Sequence, residues 1–211
     1  MQGLDIETVG LDPEAPEARI RLVQIRDAKH GRVYDGHDPE VPEALLAVEA
    51  EGGVAHKATF ERSWISRHYG IDLENLDDTM IMSQVYYTGT RAAISKSFSH
   101  SLQAVVKREL KRELSKDEQV SDWGAAALTR EQLEYAAKDA KIMPRLAEAL
   151  MRKVKRARLE KVYELELRVS HAVHAMERRG VAIHTDRLEA MIDEATERAE
   201  RLKAELTEEW G

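Results

Sequence analysis

The stretch Gly3-Leu4-Asp5-Ile6-Glu7-Thr8 decides how the chain folds. It reads as a short strand, and side chains alternate along a strand, so Asp5 and Glu7 project to one face and Ile6 to the other. Two carboxylates on one face repel unless a cation neutralises them, and hard divalent ions take oxygen ligands of this kind. By itself Asp-x-Glu also describes a solvated strand end, so the surrounding chain has to decide between the two. After Gly10-Leu11-Asp12-Pro13 the chain turns, and Ala18 to Arg26 alternates apolar and polar residues, giving a second strand. Gly31-Arg32-Val33-Tyr34-Asp35 continues this as a third.

Further along, strands and helices alternate. Pro39 to Ala50 reads as a helix, Gly52 to His56 as a buried strand, and Thr59 to Tyr69 as a second helix. Asn75 to Thr79 leads into a helix from Met80 to Tyr87, with Asp78 or Thr79 at its N-cap. Ser101 to Arg112 is helical, and Thr129 with Gln132 forms a capping box that opens a helix from Arg130 through Leu150 or beyond. A three-strand meander followed by alternating strands and helices predicts an α/β domain with a mixed sheet over residues 1–150. From Met151 the pattern is almost wholly helical and rich in charge, and Gly180 suits a helix C-terminus. Residues 151–211 therefore read as a small helical appendage, or as the start of a further domain.

Composition bounds what the chain does. Its 211 residues are 43% hydrophobic and 34% charged, with a net charge of −7, which describes a globular chain able to bury one full core. No apolar run is long enough for a membrane span, and no leader opens the chain, so a cytoplasmic location is expected, in a bacterial or phage-infected cell. Zero cysteines exclude disulfides, thiolate metal sites and thiol nucleophiles. The net acidity gives no global nucleic-acid footprint, and substrate holding has to be local. Lys107, Arg108, Lys111 and Arg112 form one basic patch, and Arg152 to Lys161 another, each interleaved with glutamates.

The helix near residue 135 supplies the second half of the constellation. Tyr135 and Asp139 are four apart and share a helix face, which suits either a packed tyrosine with a surface aspartate or a carboxylate and a phenol facing one site. Glu61 is a third candidate carboxylate, and Phe60 beside it offers a face for base stacking. Carboxylates from three separate segments meet the needs of two-metal phosphodiester hydrolysis. The motifs Leu4-Asp5-Ile6-Glu7-Thr8-Val9-Gly10-Leu11, Ala55-His56-Lys57-Ala58-Thr59-Phe60-Glu61 and Tyr135-Ala136-Ala137-Lys138-Asp139 resemble those of the 3′–5′ exonucleases of the ribonuclease H-like superfamily, in the subgroup that uses a tyrosine.

The resemblance implies a ribonuclease H-like mixed sheet flanked by helices. It also implies a site in which Asp5, Glu7, Glu61 and Asp139 hold two divalent ions, Mg2+ or Mn2+. Tyr135 would position the attacking water, and Thr8, Leu11 and Phe60 would grip the 3′-terminal nucleotide. The second motif departs from the family pattern, which has asparagine at Lys57 and usually aspartate at Glu61. Lys57 would grip a phosphate, or pair with Glu61 and compete with the metal. Ser99 to Leu102, Ser121-Asp122-Trp123 and Leu128 to Ala137 also resemble ribonuclease D. The tail, Glu164 to Leu167 and Ala175 to Ile183, is similar to the entry into the polymerase domain of family A DNA polymerases. The expectation is a proofreading-type exonuclease on single-stranded DNA 3′ ends, with a polymerase domain in cis or trans as partner. A ribonuclease D-like RNA trimmer and a catalytically weakened 3′-end-binding module are the alternatives.

Overall fold

The structure, a computed structural model, describes residues 1–27, 30–95, 98–114 and 122–210, without the side chains of residues 138 and 139. Two sequence-based expectations therefore fall outside it: Ser121 and the side chain of Asp139. The described chain forms two compact units, residues 1–175 and 176–211.

The first unit is built on a five-stranded sheet of β1 (Gln2–Val9), β2 (Arg19–Arg26), β3 (Gly31–Asp35), β4 (Gly53–Ala55) and β5 (Leu76–Asp78). Its order is β3-β2-β1-β4-β5. β1, β2 and β3 pair antiparallel as a meander, whereas β1, β4 and β5 run parallel. The parallel half arises because helices intervene: α1 (Val41–Glu51) joins β3 to β4, and α2 (Thr59–Tyr69) joins β4 to β5. This is the mixed α/β sheet flanked by helices that the sequence predicts.

Alternation along β1 sets the layers. Leu4 and Ile6 enter a core with Val41, Leu45 and Val48 of α1 and Trp64 and Ile65 of α2. On the other face, α5 (Arg130–Arg156) lies so close to β1 that a β-carbon on Gly3 would stand 2.0 Å from the carbonyl oxygen of Ala140. Pro144 sits inside α5, one helical turn beyond Ala140. A proline has no N–H to return to the fourth carbonyl before it, so the Ala140 carbonyl lacks its helical donor there. The freed carbonyl and the side-chain-free Gly3 meet at the same point. Above this contact, Met143, Leu146 and Leu150 of α5 pack with Val54, with Met82 of α3 (Thr79–Tyr87) and with Val105 and Val106 of α4 (Leu102–Leu110).

Two caps fix the ends of these helices. Thr129 accepts from the Gln132 N–H at 3.2 Å, and Gln132 returns its side-chain oxygen to the Thr129 N–H at 2.8 Å. That completes the predicted capping box, and α5 continues unbroken to Arg156. Asp78 caps α3, accepting from Met80 N–H at 2.7 Å and Ile81 N–H at 3.3 Å. Where the sequence suggests only a lead into that helix, residues 76–78 instead form β5, a strand pairing with β4.

α6 (Glu160–Arg179) begins within the first unit. There the buried Tyr163 donates to Asp77 Oδ1 at 2.6 Å and accepts from the Asp78 N–H at 3.1 Å. Arg62, buried in α2, donates to the carbonyls of Leu73 at 2.9 Å and Leu76 at 2.6 Å. The second unit holds α7 (Thr185–Trp210), every described residue of which is exposed. Gly180, with φ of +65°, ends α6 as its position predicts. Among the described residues no helix is long and apolar enough to cross a membrane.

Candidate active site

β1 and β4 are parallel neighbours, so the end of β1 and the loop after β4 emerge on the same edge of the sheet. In open α/β sheets this edge is where ligands bind. Here it holds a cleft of about 300 Å³. Asp5 and Glu7 of β1, Lys57, Phe60 and Glu61 of the β4–α2 segment and Tyr135 of α5 all line it. The cleft therefore gathers residues from all three sequence motifs. Ser101, Leu102 and Gln103, at the start of α4, complete one wall.

Glu61 is strongly perturbed. It is 3% exposed, and among the described residues its Oε2 has no hydrogen-bond partner. Burial pushes its carboxyl up from 4.5 to about 8, and the negative charge of Asp78 adds to the effect. The cations of Arg62 and Lys57 oppose it without cancelling it. A buried carboxylate in this condition asks either for a proton or for a metal ion. Among the described residues no three His, Asp or Glu side chains converge closely enough to hold an ion unaided. The donor set nevertheless suits a hard cation, with two half-buried carboxylates on β1 and an orphaned carboxylate oxygen lining one cleft.

Asp78 organises the second motif, a role the sequence does not advertise. Besides capping α3, its carboxylate accepts from Lys57 N–H at 3.1 Å and Ala58 N–H at 2.8 Å. Ala58 is the N-cap of α2 and has no side-chain cap of its own, so Asp78 serves the starts of two helices at once. The clamp also explains a conformational oddity. Lys57 has φ of 66°, in the left-handed region. That conformation costs a non-glycine residue about 1–2 kcal/mol. A hydrogen bond to a charged acceptor contributes about 1.5–3 kcal/mol, so the pair from Asp78 offsets the strain. Next to this loop, His56 Nδ1 meets Thr79 Oγ1 at 2.8 Å and Nε2 meets the His100 carbonyl at 2.9 Å. Burial lowers its pKa. It is a structural histidine, with both ring nitrogens engaged by the fold.

Gln24 is a second residue the motifs do not reveal. It pairs with Asp5 across β1 and β2, is 1% exposed, and among the described residues both polar atoms of its side chain lack partners. The available signal was a glutamine inside an otherwise apolar stretch of β2.

The remaining predicted residues divide. Tyr135 lines the cleft and is half-buried, packing with Leu22, Trp123 and Leu128. Phe60 lines it too, with its ring centroid 6.0 Å from that of Trp64. Thr8 and Leu11 are not among the lining residues: Thr8 donates to the Gly10 carbonyl at 2.8 Å, and Leu11 is 87% exposed. Of the basic patches, Arg108 is engaged by the fold, 4.5 Å from the Tyr87 ring and 4.4 Å from that of Phe98. Lys153 is held by Glu109 at 2.7 Å. Trp64 and Trp123 are buried, as expected of packing residues.

A mixed sheet of this order, with helices on both faces and carboxylates at the end of its central strand, is the architecture of the ribonuclease H-like class. Comparison with known proteins agrees. The chain is 37% identical over 137 residues to DNA polymerase I of Aquifex aeolicus, a stretch covering 64% of this chain and 22% of that polymerase. It superimposes on Brucella melitensis NrnC with a TM-score of 0.72, covering 85% of both chains at 24% identity. A further structure of NrnC carries bound Mg2+. On Escherichia coli RNase D, an exoribonuclease, the TM-score is 0.69 at 21% identity, covering 83% of this chain and 45% of that one. The model of the 3′–5′ exonuclease family of DNA polymerase A type matches residues 3–155, and the chain belongs to that family.

Proposed function

We propose that the protein removes nucleotides one at a time from the 3′ end of single-stranded DNA in a proofreading role, using divalent metal. The 37% identity to a DNA polymerase I over 137 residues supports the choice of DNA, since the structural likeness to an exoribonuclease is a likeness of fold. Asp5, Glu7 and Glu61 hold Mg2+ or Mn2+, with Asp139 of the third motif as the fourth carboxylate and two ions as the expected number. Such ions supply Lewis-acid activation of water and neutralise charge on the phosphate being cut. The chain's own groups do the rest. Tyr135 orients the attacking water from the wall of the cleft, and Phe60 offers its face to the terminal base. A metal ion at Glu61 has to displace the proton that burial holds on this carboxyl, so occupancy rises with pH toward the alkaline side. A polymerase domain, in cis or trans, is the natural supplier of mispaired ends.

The test is digestion of 5′-labelled single-stranded DNA and RNA of one sequence with Mg2+, Mn2+ or chelator, beside Asp5→Ala. The expected result is a descending ladder on DNA that needs metal and vanishes in the variant. A ladder on RNA alone would replace the proposal with RNA trimming. Tight 3′-end binding without cleavage in either metal would replace it with an end-binding module.

A further inference from the structure

We propose that Lys57 forms a phosphate subsite, in which its ammonium takes a backbone phosphate of the strand held in the cleft. The inference rests on the exonuclease reading above and specifies how that site holds its strand.

The position is built for the purpose. A lysine seldom adopts a φ of 66°, and this one is kept there by the paired bonds from Asp78 to its own N–H and to that of Ala58. Asp78 is itself 2% exposed and anchored by β5 and α3, so the loop that carries Lys57 is fixed from beneath. The lysine lines the carboxylate cleft yet remains exposed.

Its charge acts on Glu61 through space but is not taken up in a direct pair. Among the described residues Lys57 has no ion pair or side-chain hydrogen bond. Glu61, the acid nearest in the chain, keeps an Oε2 without any partner. Of the two roles open to this lysine, pairing with Glu61 is thus not the one adopted. An ammonium that neutralised Glu61 would stand where a metal ion belongs. Lying beyond ion-pair range, it leaves the carboxylates to the metal and offers a separate positive charge to the substrate. Among the described residues the cleft thus sets the ammonium of Lys57 beside the carboxylates of Asp5, Glu7 and Glu61. A single strand whose 3′ end reaches those carboxylates brings its backbone phosphates past Lys57. A primary ammonium recognises phosphate as a point charge and reads neither base nor sugar, so the subsite serves DNA and RNA alike.

The test is fluorescence anisotropy in chelator, with a short 5′-labelled oligothymidylate and the matching oligouridylate, across a salt series. Wild type is compared with Lys57→Gln and Lys57→Arg; the side chain is exposed, so folding is not at stake. Each phosphate neutralised on a single strand contributes about 0.7 to the slope of log affinity against log salt. Lys57→Gln should flatten the slope by about that amount on both oligonucleotides, and Lys57→Arg should preserve it. A neutral methylphosphonate is then placed at each linkage in turn. At one of these linkages it should weaken wild type and leave Lys57→Gln unaffected, as expected when one phosphate contact is removed. An unchanged slope, or a methylphosphonate effect equal in the two proteins, overturns the subsite. If wild type both binds and cleaves strands while Lys57→Gln matches it throughout, only this inference falls. If wild type neither binds strands nor cuts them with metal, the exonuclease reading falls with it.

Discussion

Replacing Glu61 with glutamine should make the metal-free protein more stable at alkaline pH. Its carboxyl is raised from 4.5 to about 8 in the folded protein, chiefly by burial. The folded state thus holds the proton more tightly than the unfolded state, and stability falls as pH rises through that interval. The loss is complete above about pH 8, and at 1.36 kcal/mol per unit it amounts to at most about 5 kcal/mol. Glutamine keeps the shape and the hydrogen-bonding oxygen but carries no charge to bury. Urea unfolding in chelator at about pH 5 and about pH 9 measures the effect. The two proteins should differ little at the lower pH, and at the higher pH the variant should exceed wild type by about 2–5 kcal/mol. Added Mg2+ should restore wild type at alkaline pH and do less for the variant, because binding to the folded state stabilises it. Parallel pH profiles for the two proteins would refute the burial argument.

Other perturbations follow from the same geometry. Gly3→Ala places a β-carbon 2.0 Å from the Ala140 carbonyl, where backbone must move, so thermal unfolding should show a loss of about 3 kcal/mol or more. A fully stable variant would mean that β1 and α5 are not in this contact. Gln24→Met removes a buried amide with no partners and should stabilise by about 1–3 kcal/mol in urea, whereas a destabilised variant would show that the amide is satisfied in solution. Asp78→Asn leaves an amide group facing N–H donors at the starts of α2 and α3 and should cost about 2–4 kcal/mol. An unaltered melting temperature would remove Asp78 from its central place.

Local patterns carried much of the architecture. The period-two alternation around Asp5 and Glu7 is a property of any strand with one buried face, and Leu4 and Ile6 fall on that face. The reciprocal pairing of Thr129 and Gln132 needs only four residues, so it is visible without tertiary context. β5 was hidden because two of its three residues are aspartates, which strands disfavour. Their carboxylates are absorbed elsewhere, Asp77 by Tyr163 and Asp78 by the helix starts, and those partners are distant in sequence. The same non-locality hid the clamp on Lys57. Thr8 donates to the Gly10 carbonyl just beyond a register shift between Glu7 and Thr8, which a pattern of residue types does not encode.

The meeting of Gly3 with the helix at Pro144 has a consequence for how the site tolerates change. The spacing between the paired acids of the first strand and the tyrosine of the long helix is set by main chain resting on main chain. Side-chain volumes deeper in the core bear on that distance less directly. The joint acts as a mechanical stop: trimming a leucine below it loosens the protein, but the reacting groups keep their separation. Sequence drift in the interior should then be felt as a lower melting point well before it is felt as a slower reaction. Inserting a single methyl group at the stop should reverse that order.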